Sequence, residues 1–492
     1  MTMNYNKILL TCFVLTSLAS ASAQNFRNLN FEQACDTSKT GLCFWDLSWG
    51  GKTAVKQDMH NATASLLITG TKENAVGFAE QASVFAPAKD IRILTVSATM
   101  RSDSIIGKGA GLNIGLYDKD GQLLATKDMG GFYSVEWIKG TNGWKDYSIS
   151  LVCPVDVVKI KIGVILFGKG KLWCKNYSVT FTSIAGRKAN ALAKKYITAA
   201  CDTISKNSLV RDSINIASLK EIAFQIAGPA KKYSDCYLAV SYLLESLRPY
   251  GDHHSFLMKT AEVANWKNDG SAVSKIEFPS SRIINDCGYI MVPPFHGGNQ
   301  KIILAYADSL QSAIRKLEDA GIKGWIVDLR LNTGGNMEPM IAGLGPLFSA
   351  AKLGSLVDVN NKADAWYYRD GKYFGDDNEG WSVSTPVTLT TKLPIAVLTG
   401  NGTGSSGEIV VISFVGNART RSFGQATWGL TTGNGSFELA DGAKIFLAST
   451  IMADRNGKQY TSGIVPDVVI DKMIVDNVDM VLMAGIDWIK SQ

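Results

Sequence analysis

Near Gly186 the hydrophobic period of the chain changes, and that change constrains what each part can fold into. From about Asn25 to Ser183, apolar residues come in short alternating runs such as Ser65-Leu66-Leu67-Ile68 and Leu112-Asn113-Ile114-Gly115-Leu116. Turn sequences such as Asp118-Lys119-Asp120-Gly121 and Gly140-Thr141-Asn142-Gly143 separate them. Alternation with turns at this spacing predicts an all-β sandwich over residues 24–185. Beyond Gly186, residues 187–206, 218–226 and 234–247 place apolar side chains at helical spacing, which predicts a helical segment over 186–256. Residues 257–492 then alternate strands and helices. Trp325-Ile326-Val327-Asp328 and Ile395-Ala396-Val397-Leu398 are short apolar runs of the kind found inside an α/β sheet. Three parts in 492 residues agree with about 150 residues per domain.

Lys7, the apolar stretch Ile8 to Leu18 and the small residues Ala21-Ser22-Ala23 read as a signal peptide over residues 1–23. The stretch is shorter than the ~20 residues that span a bilayer, and no later apolar run is long enough, so an exported chain without a transmembrane segment is expected. The net charge of +6 is spread thinly, which argues against a nucleic-acid partner. Export makes disulfides plausible for the neighbours Cys35 and Cys43 and for Cys153 and Cys174. Cys201 and Cys236 read as buried small apolar residues. With no C-x-x-C and only four histidines, no structural zinc site is expected.

The segment Gly143-Trp144-Lys145-Asp146-Tyr147 and the run to Trp173 resemble the jelly-roll sandwiches of carbohydrate-binding modules. Trp45, Trp49, Trp137, Trp144 and Trp173 read either as core residues or as a sugar-stacking platform, so a glycan is a possible partner.

Chemistry concentrates in two turns. Strand 325–330 enters Asn332-Thr333-Gly334-Gly335, where paired glycines can expose backbone N–H groups to a ligand. Strand 394–399 enters Gly400-Asn401-Gly402-Thr403-Gly404-Ser405-Ser406-Gly407-Glu408, followed by an apolar helix. A serine at a helix N-terminus suits a nucleophile, because the free N–H groups stabilise developing negative charge. The same residues also read as a capping box, with Ser405 paired to Glu408. No phosphate loop or dinucleotide fingerprint is found, so no cofactor or metal is expected.

The ordered motifs GYIMVPPF, GWIVDLRLNTGGNM, LTGNGTGSSGE and GLTTGN…MADRNGK…GIVPDVVI resemble the tail-specific, or C-terminal-processing, serine peptidases, which include the tricorn core and interphotoreceptor retinoid-binding protein. The resemblance runs from about Gly186 to the C-terminus and implies a crotonase/Clp-protease-like α/β spiral. It implies Ser405 as nucleophile and an oxyanion hole from the N–H groups of Ser406 and of Gly334 or Gly335. Best-known members place a Lys base 25 positions after the nucleophile, where this chain has Leu430. The tricorn-like branch uses a His in a segment matched by Gly251-Asp252-His253-His254-Ser255, making His254 the expected base and His253 the alternative. Asn434 stands where a Gln orients the Lys, so it is expected to orient the imidazole or bind substrate. Asp252, Glu408 and Asp454 are further candidates. Asp328 with Arg330 reads as an architectural ion pair and Asp467 as a turn acid. About thirty residues separate Ser255 from Gly288, too few for a PDZ module. The reading is an exported serine peptidase acting on a protein or peptide; the alternatives are a non-catalytic binder of an apolar or peptide ligand and a glycan-anchored peptidase.

Overall fold

The computed structural model describes residues 25–35, 42–49, 53–60, 63–130, 136–268, 276–376 and 378–492. The signal-peptide reading of residues 1–23 falls outside them. The chain forms two compact units, Met1–Met129 with Ile138–Ile184, and Gly130–Trp137 with Ala185–Gln492.

The first unit contains β1 (Asp46–Trp49), β2 (Thr53–His60), β3 (Thr63–Gly70), β4 (Val76–Val84), β5 (Arg92–Tyr117), β6 (Leu123–Asp128), β7 (Ile138–Cys153) and β8 (Lys159–Ser183). All eight belong to one hydrogen-bonded sheet, in which β5 pairs with β6, β7 and β8. The long strands β5 and β8 turn where Gly107 and Gly109 cross Gly168 and Gly170, all at φ between 121° and 138°. A Cβ on Gly168 would meet the Ile106 carbonyl oxygen at 2.0 Å, so only glycine lets the strands cross so closely. The core gathers alternate residues such as Leu94, Val96, Leu112, Ile114, Ile162 and Val164. Trp45 is fully buried against Phe31 and Tyr177, at ring distances of 5.0 and 5.2 Å, and its N–H donates to the Asn28 carbonyl.

Three of the five tryptophans are core residues. Trp45, Trp137 and Trp173 are buried, the Trp173 N–H donating to Asp58. Arg101 and Lys175 lie over the Trp144 ring. The Trp49 side chain lies outside the described residues.

No disulfide joins the described cysteines, and Cys43, Cys153, Cys174, Cys201, Cys236 and Cys287 are thiols. Cys153 is level with Arg92 of β5 and Cys174 with Met100, eight residues along the same strand. At about 3.3 Å per residue that separation is several times the ~7 Å a disulfide can bridge. Cys35 and Cys43 do adjoin as thiols, and their hydrogen bond raises the Cys43 pKa. Burial raises Cys201 and Cys236 to about 11, in keeping with inert core residues.

In the second unit, α1 (Ala191–Asn207), α2 (Ile216–Ala227), α3 (Tyr237–Glu245), β9 (Phe256–Met258) and α4 (Thr260–Asn268) come first. Then follow β10 (Ser280–Ile284), β11 (Cys287–Met291), α5 (Gln300–Asp319), β12 (Gly324–Asp328) and α6 (Glu338–Leu344). After β13 (Lys352–Asp358), β14 (Ala363–Arg369), β15 (Lys372–Gly375) and β16 (Trp381–Ser382) come β17 (Ile395–Thr399) and α7 (Ser406–Phe414). β18 (Thr420–Gly424), β19 (Thr432–Glu438), β20 (Lys444–Asp454), β21 (Val468–Val469) and α8 (Met480–Lys490) close it.

A six-stranded sheet runs β10-β11-β12-β17-β18-β21, parallel from β11 onward. Both its faces are covered, which explains the unbroken apolar runs. Trp325, Val327, Ile395 and Val397 face a core shared with α5, α6 and α7. Their neighbours Ile326, Ala396 and Leu398 face Val481, Ile486 and Ile489 of α8.

A second, seven-stranded antiparallel sheet, β16-β15-β14-β13-β20-β19 with β9 on β20, departs from the expected strand–helix alternation. Its signal was local: Asp370-Gly371, both at positive φ, forms the two-residue turn joining β14 to β15. No helix among the described residues is long and apolar enough to cross a membrane.

Asp328 and Arg330 are the ion pair the strand end suggested. Asp328 takes a forked contact from Arg330, closest at 2.6 Å, and the Tyr289 hydroxyl at 2.7 Å. Arg330 also reaches Asp479, tying the strand end to α8. Asp467 accepts from Ser422, and Asp454 accepts from the N–H groups of its own turn. Asp328→Ala leaves a largely buried guanidinium with Asp479 as its remaining partner and is expected to cost about 3 kcal/mol, measured by urea unfolding.

Candidate active site

β12 and β17 are adjacent and parallel, so the turns that leave their C-terminal ends meet. The β17 turn holds Ser405 at φ 52°, ψ −120°, a conformation costly for a residue with a side chain. An ordinary N-cap is extended. The cap reading is therefore only half the story: the Glu408 carboxylate does bond back to the Ser405 N–H at 2.8 Å, while Ser405 itself is bent into a strained elbow.

The β12 turn packs on this elbow. Gly334 and Gly335 sit at φ 106° and 111°. A Cβ on Gly334 would fall 2.7 Å from Ser405 Cβ and 2.9 Å from the Ser406 nitrogen, so the glycine is required for the approach. The Gly334 N–H is taken by Asn332 Oδ1 at 3.0 Å. The N–H groups of Gly335 and Ser406 find no acceptor among the described residues. The Ser406 hydroxyl donates to the Gly335 carbonyl at 2.6 Å, locking the two turns together.

Glu408 is fully buried. Its carboxylate accepts from Ser405, from the Gly429 N–H at 2.8 Å and from the Thr427 hydroxyl at 2.5 Å. Burial raises its pKa, against the pull of the Thr427, Gly429, Ser405 and Leu430 hydrogen bonds. It thereby holds the 427–430 segment over the elbow. Leu430 Cδ1 stands 3.7 Å from a Cβ built on Gly404, so an apolar side chain borders the elbow.

Two residues further, Thr432 Oγ1 lies 2.9 Å from His254 Nδ1. The base candidate is thus fastened to the segment that covers the elbow. Burial lowers the His254 pKa, with the Asp252 charge and the Thr432 carbonyl working the other way. With Nδ1 engaged, Nε2 has no hydrogen bond among the described residues, and none joins the imidazole to the Ser405 hydroxyl. His253 is exposed. Asp252 does not touch the ring; it is buried and accepts from the N–H groups of His254 and Ser255 and from the Ser255 hydroxyl. Ser255 in turn accepts from the Ala448 N–H, anchoring this loop to β20.

Asn434 differs from expectation. Its amide donates to the His254 carbonyl at 3.1 Å, so it holds the histidine's backbone, and Thr432 takes the ring. The β19 bulge between Gly433 and Asn434 redirects the strand there.

Sequence reasoning missed Thr432 and Asn332. Asn332, fully buried, donates to the Val292 carbonyl and accepts at Oδ1 from Gly334, while its own carbonyl takes the Gly404 N–H. A polar residue two positions before a glycine pair was its only signal. Glu408→Ala would leave buried donors without acceptors and is expected to cost about 3 kcal/mol or more, since each orphaned donor costs about 1–3 kcal/mol. Glu408→Gln keeps an acceptor oxygen and should cost less; urea unfolding of both variants measures the difference.

Residues 286–470 match peptidase family S41. Over 303 residues the chain is 28% identical to the nisin-resistance protein of Lactococcus lactis subsp. lactis, covering 61% of this chain and 87% of that protein. It is 25% identical over 215 residues to the carboxyl-terminal-processing protease of a Synechocystis species, covering 43% of this chain but only 44% of that relative. A solved lipoprotein from Streptococcus agalactiae is similar with TM-score 0.51 and 27% identity, over 61% of this chain and 96% of that one. Ser405, the Gly-Gly turn and Asn434 lie inside the residues that match the peptidase family S41 model, and His254 lies before them.

Proposed function

We propose that the protein is an exported serine peptidase in which His254 activates Ser405 for attack on a peptide carbonyl. The observation that carries this reading is a strained serine in the elbow on which the glycine turn packs, with the N–H groups of Gly335 and Ser406 left without acceptors among the described residues. Two backbone donors beside a nucleophile are what a tetrahedral oxyanion needs. Gly334 serves the turn's shape, its own N–H being occupied.

In this mechanism Nδ1–H of His254 points to Thr432, leaving Nε2 to take the Ser405 proton. The alkoxide attacks, the acyl-enzyme forms, and His254 returns the proton to the leaving amine. Water, deprotonated by the same nitrogen, then releases the acid. Because no hydrogen bond joins the two side chains in this structure, the reading requires that contact to form as substrate binds, as is common for catalytic pairs. Glu408, Asp252 and Asn434 act as positioning residues. The proposal takes residues 24–185 as a jelly-roll-like domain. It takes 257–492 as a crotonase/Clp-protease-like spiral, entered through the helical segment 186–256. Export rests on the signal-peptide reading, and one similar protein is itself described as a lipoprotein.

Ser405→Ala should abolish peptide hydrolysis and labelling by a fluorophosphonate, with thermal unfolding little changed. A wild-type protein that neither cleaves peptides nor takes the label between pH 6 and 9 would favour a carrier, the reading that Leu430 in the lysine position also permits.

The pH profile tests the base. A folded-state pKa below 6.5 keeps His254 neutral into mildly acid solution, so the acid limb of kcat/KM should fall with a midpoint below 6.5. His254→Gln should remove that limb together with most of the activity.

A further inference from the structure

The segments that surround Ser405 carry no exposed charge of their own. Residues 293–300, 331–337, 400–407, 426–437 and 460–465 contain no Asp, Glu, Lys or Arg. The acid that follows the elbow, Glu408, is fully buried, and Arg330 is held by Asp328 and Asp479. Large apolar side chains stand in water on the same segments: Leu331 is 76% exposed, Trp428 56% and Val465 67%. Such residues mean little when scattered singly over a surface, but grouped beside a candidate nucleophile they mark a binding site.

The backbone sets their grouping. In the turn before the serine, Gly400 to Gly404, only Asn401 and Thr403 have side chains, and Thr403 is buried. Gly402 rests on the chain leaving β12: a Cβ there would fall 2.6 Å from the Arg330 carbonyl oxygen and 3.7 Å from Leu331 Cα. The Trp428 N–H donates to the Thr403 carbonyl at 2.8 Å, and Trp428 Cβ and Cε3 lie 3.5 Å from a Cβ built on Gly404. Thr427 and Ile464, both buried, bond to each other, which leaves their neighbours Trp428 and Val465 outside. The approach to Ser405 is therefore a strip of glycine backbone, with Leu331 beside Gly402 and an indole beside Gly404. An indole fixed one residue from the serine, with more than half of it in water, buries its free surface only when an apolar group docks on it.

We propose that Trp428 is the specificity-determining residue of the Ser405 site, receiving an aromatic or large aliphatic side chain that adjoins the scissile bond of an uncharged peptide segment. Leu331 extends the apolar surface, and the glycine strip lets the substrate main chain lie close. The uncharged segments offer no cation to a terminal carboxylate or an acidic side chain, and no anion to a basic one. Cleavage within a chain, independent of a free carboxyl end, follows. That the docked peptide is a substrate rests on the peptidase reading; the docking of an apolar side chain on Trp428 does not.

The test assays the full chain with the blocked peptide Ac-Ala-Ala-Phe-Ser-Ala-Ala-NH2 and with counterparts carrying Gly, Lys or Asp in place of Phe, the cuts being located by mass spectrometry. Cleavage beside Phe should exceed cleavage of the other three by about tenfold or more in kcat/KM, and the free-acid form of the Phe peptide should match the amide. Trp428→Ala should lower the Phe-to-Gly ratio of kcat/KM about tenfold, the effect of losing one aromatic contact and the area it buries. Trp428→Phe should keep most of that ratio. A side chain that only buttressed the elbow would lower both peptides equally. No preference for Phe, a ratio unmoved by Trp428→Ala, or an acid form cleaved about tenfold faster than the amide would overturn the proposal. Docking is read separately in the Ser405→Ala chain with tryptophan nitrogens labelled: the indole resonance that disappears in Trp428→Phe should shift with the Phe peptide and stay in place with the Gly peptide. A serine that takes a fluorophosphonate beside an indole that ignores the Phe peptide would sink the specificity assignment alone. An indole that responds in a protein that never labels would sink only the peptidase reading, and neither response would sink both.

Discussion

The buried carboxylate of Glu408 is the point through which the candidate site is assembled. It fixes the backbone of the serine elbow on one side and the 427–430 segment on the other. That segment continues into Thr432, which holds the imidazole. A carboxyl group in such a place is tolerated only because its oxygens are met by several donors at once. The same multiplicity makes it a rigid junction: the serine elbow and the 427–430 segment converge on one small group and neither can shift alone.

Around this junction the fold tolerates local cost for placement. Ser405 sits at a positive φ that the sheet, the capping carboxylate and the Gly334 contact together impose. The cost is offset by the core, where adjacent strands bury both faces between α8 and the α5–α7 layer. A sheet covered on both sides is stiff, and a stiff sheet can hold two turns within van der Waals distance at its C-terminal edge. Leu430 keeps the packing position beside the elbow, and an imidazole enters from a loop some 150 residues earlier.

Much of this was legible before any coordinates. The glycine pairs, the serine three residues before a glutamate, the apolar β12 and β17 and the helices of residues 191–245 were all read from spacing and residue type. The antiparallel sheet was not, because its strands are short and half-polar, and β13 pairs with β20 across almost a hundred residues. The disulfide reading of Cys153 and Cys174 failed for a related reason. Nearness in sequence says nothing about register, and register set them eight residues apart along β5. The tryptophans were open to two readings, and packing chose the core for three of them.

Sequence by itself determined the classes of local structure and the residue types able to do chemistry, since those follow from periodicity, backbone freedom and side-chain reactivity. Which polar groups meet was decided only by the tertiary structure. Thr432 rather than Asn434 takes the His254 ring, and Asn332 rather than a solvent molecule fills the Gly334 N–H. The physical reason is that a hydrogen bond depends on a few tenths of an ångström and a direction. A β-bulge, a strand register or a crossing of glycines sets those quantities, and none of them is encoded in the identity of any single residue.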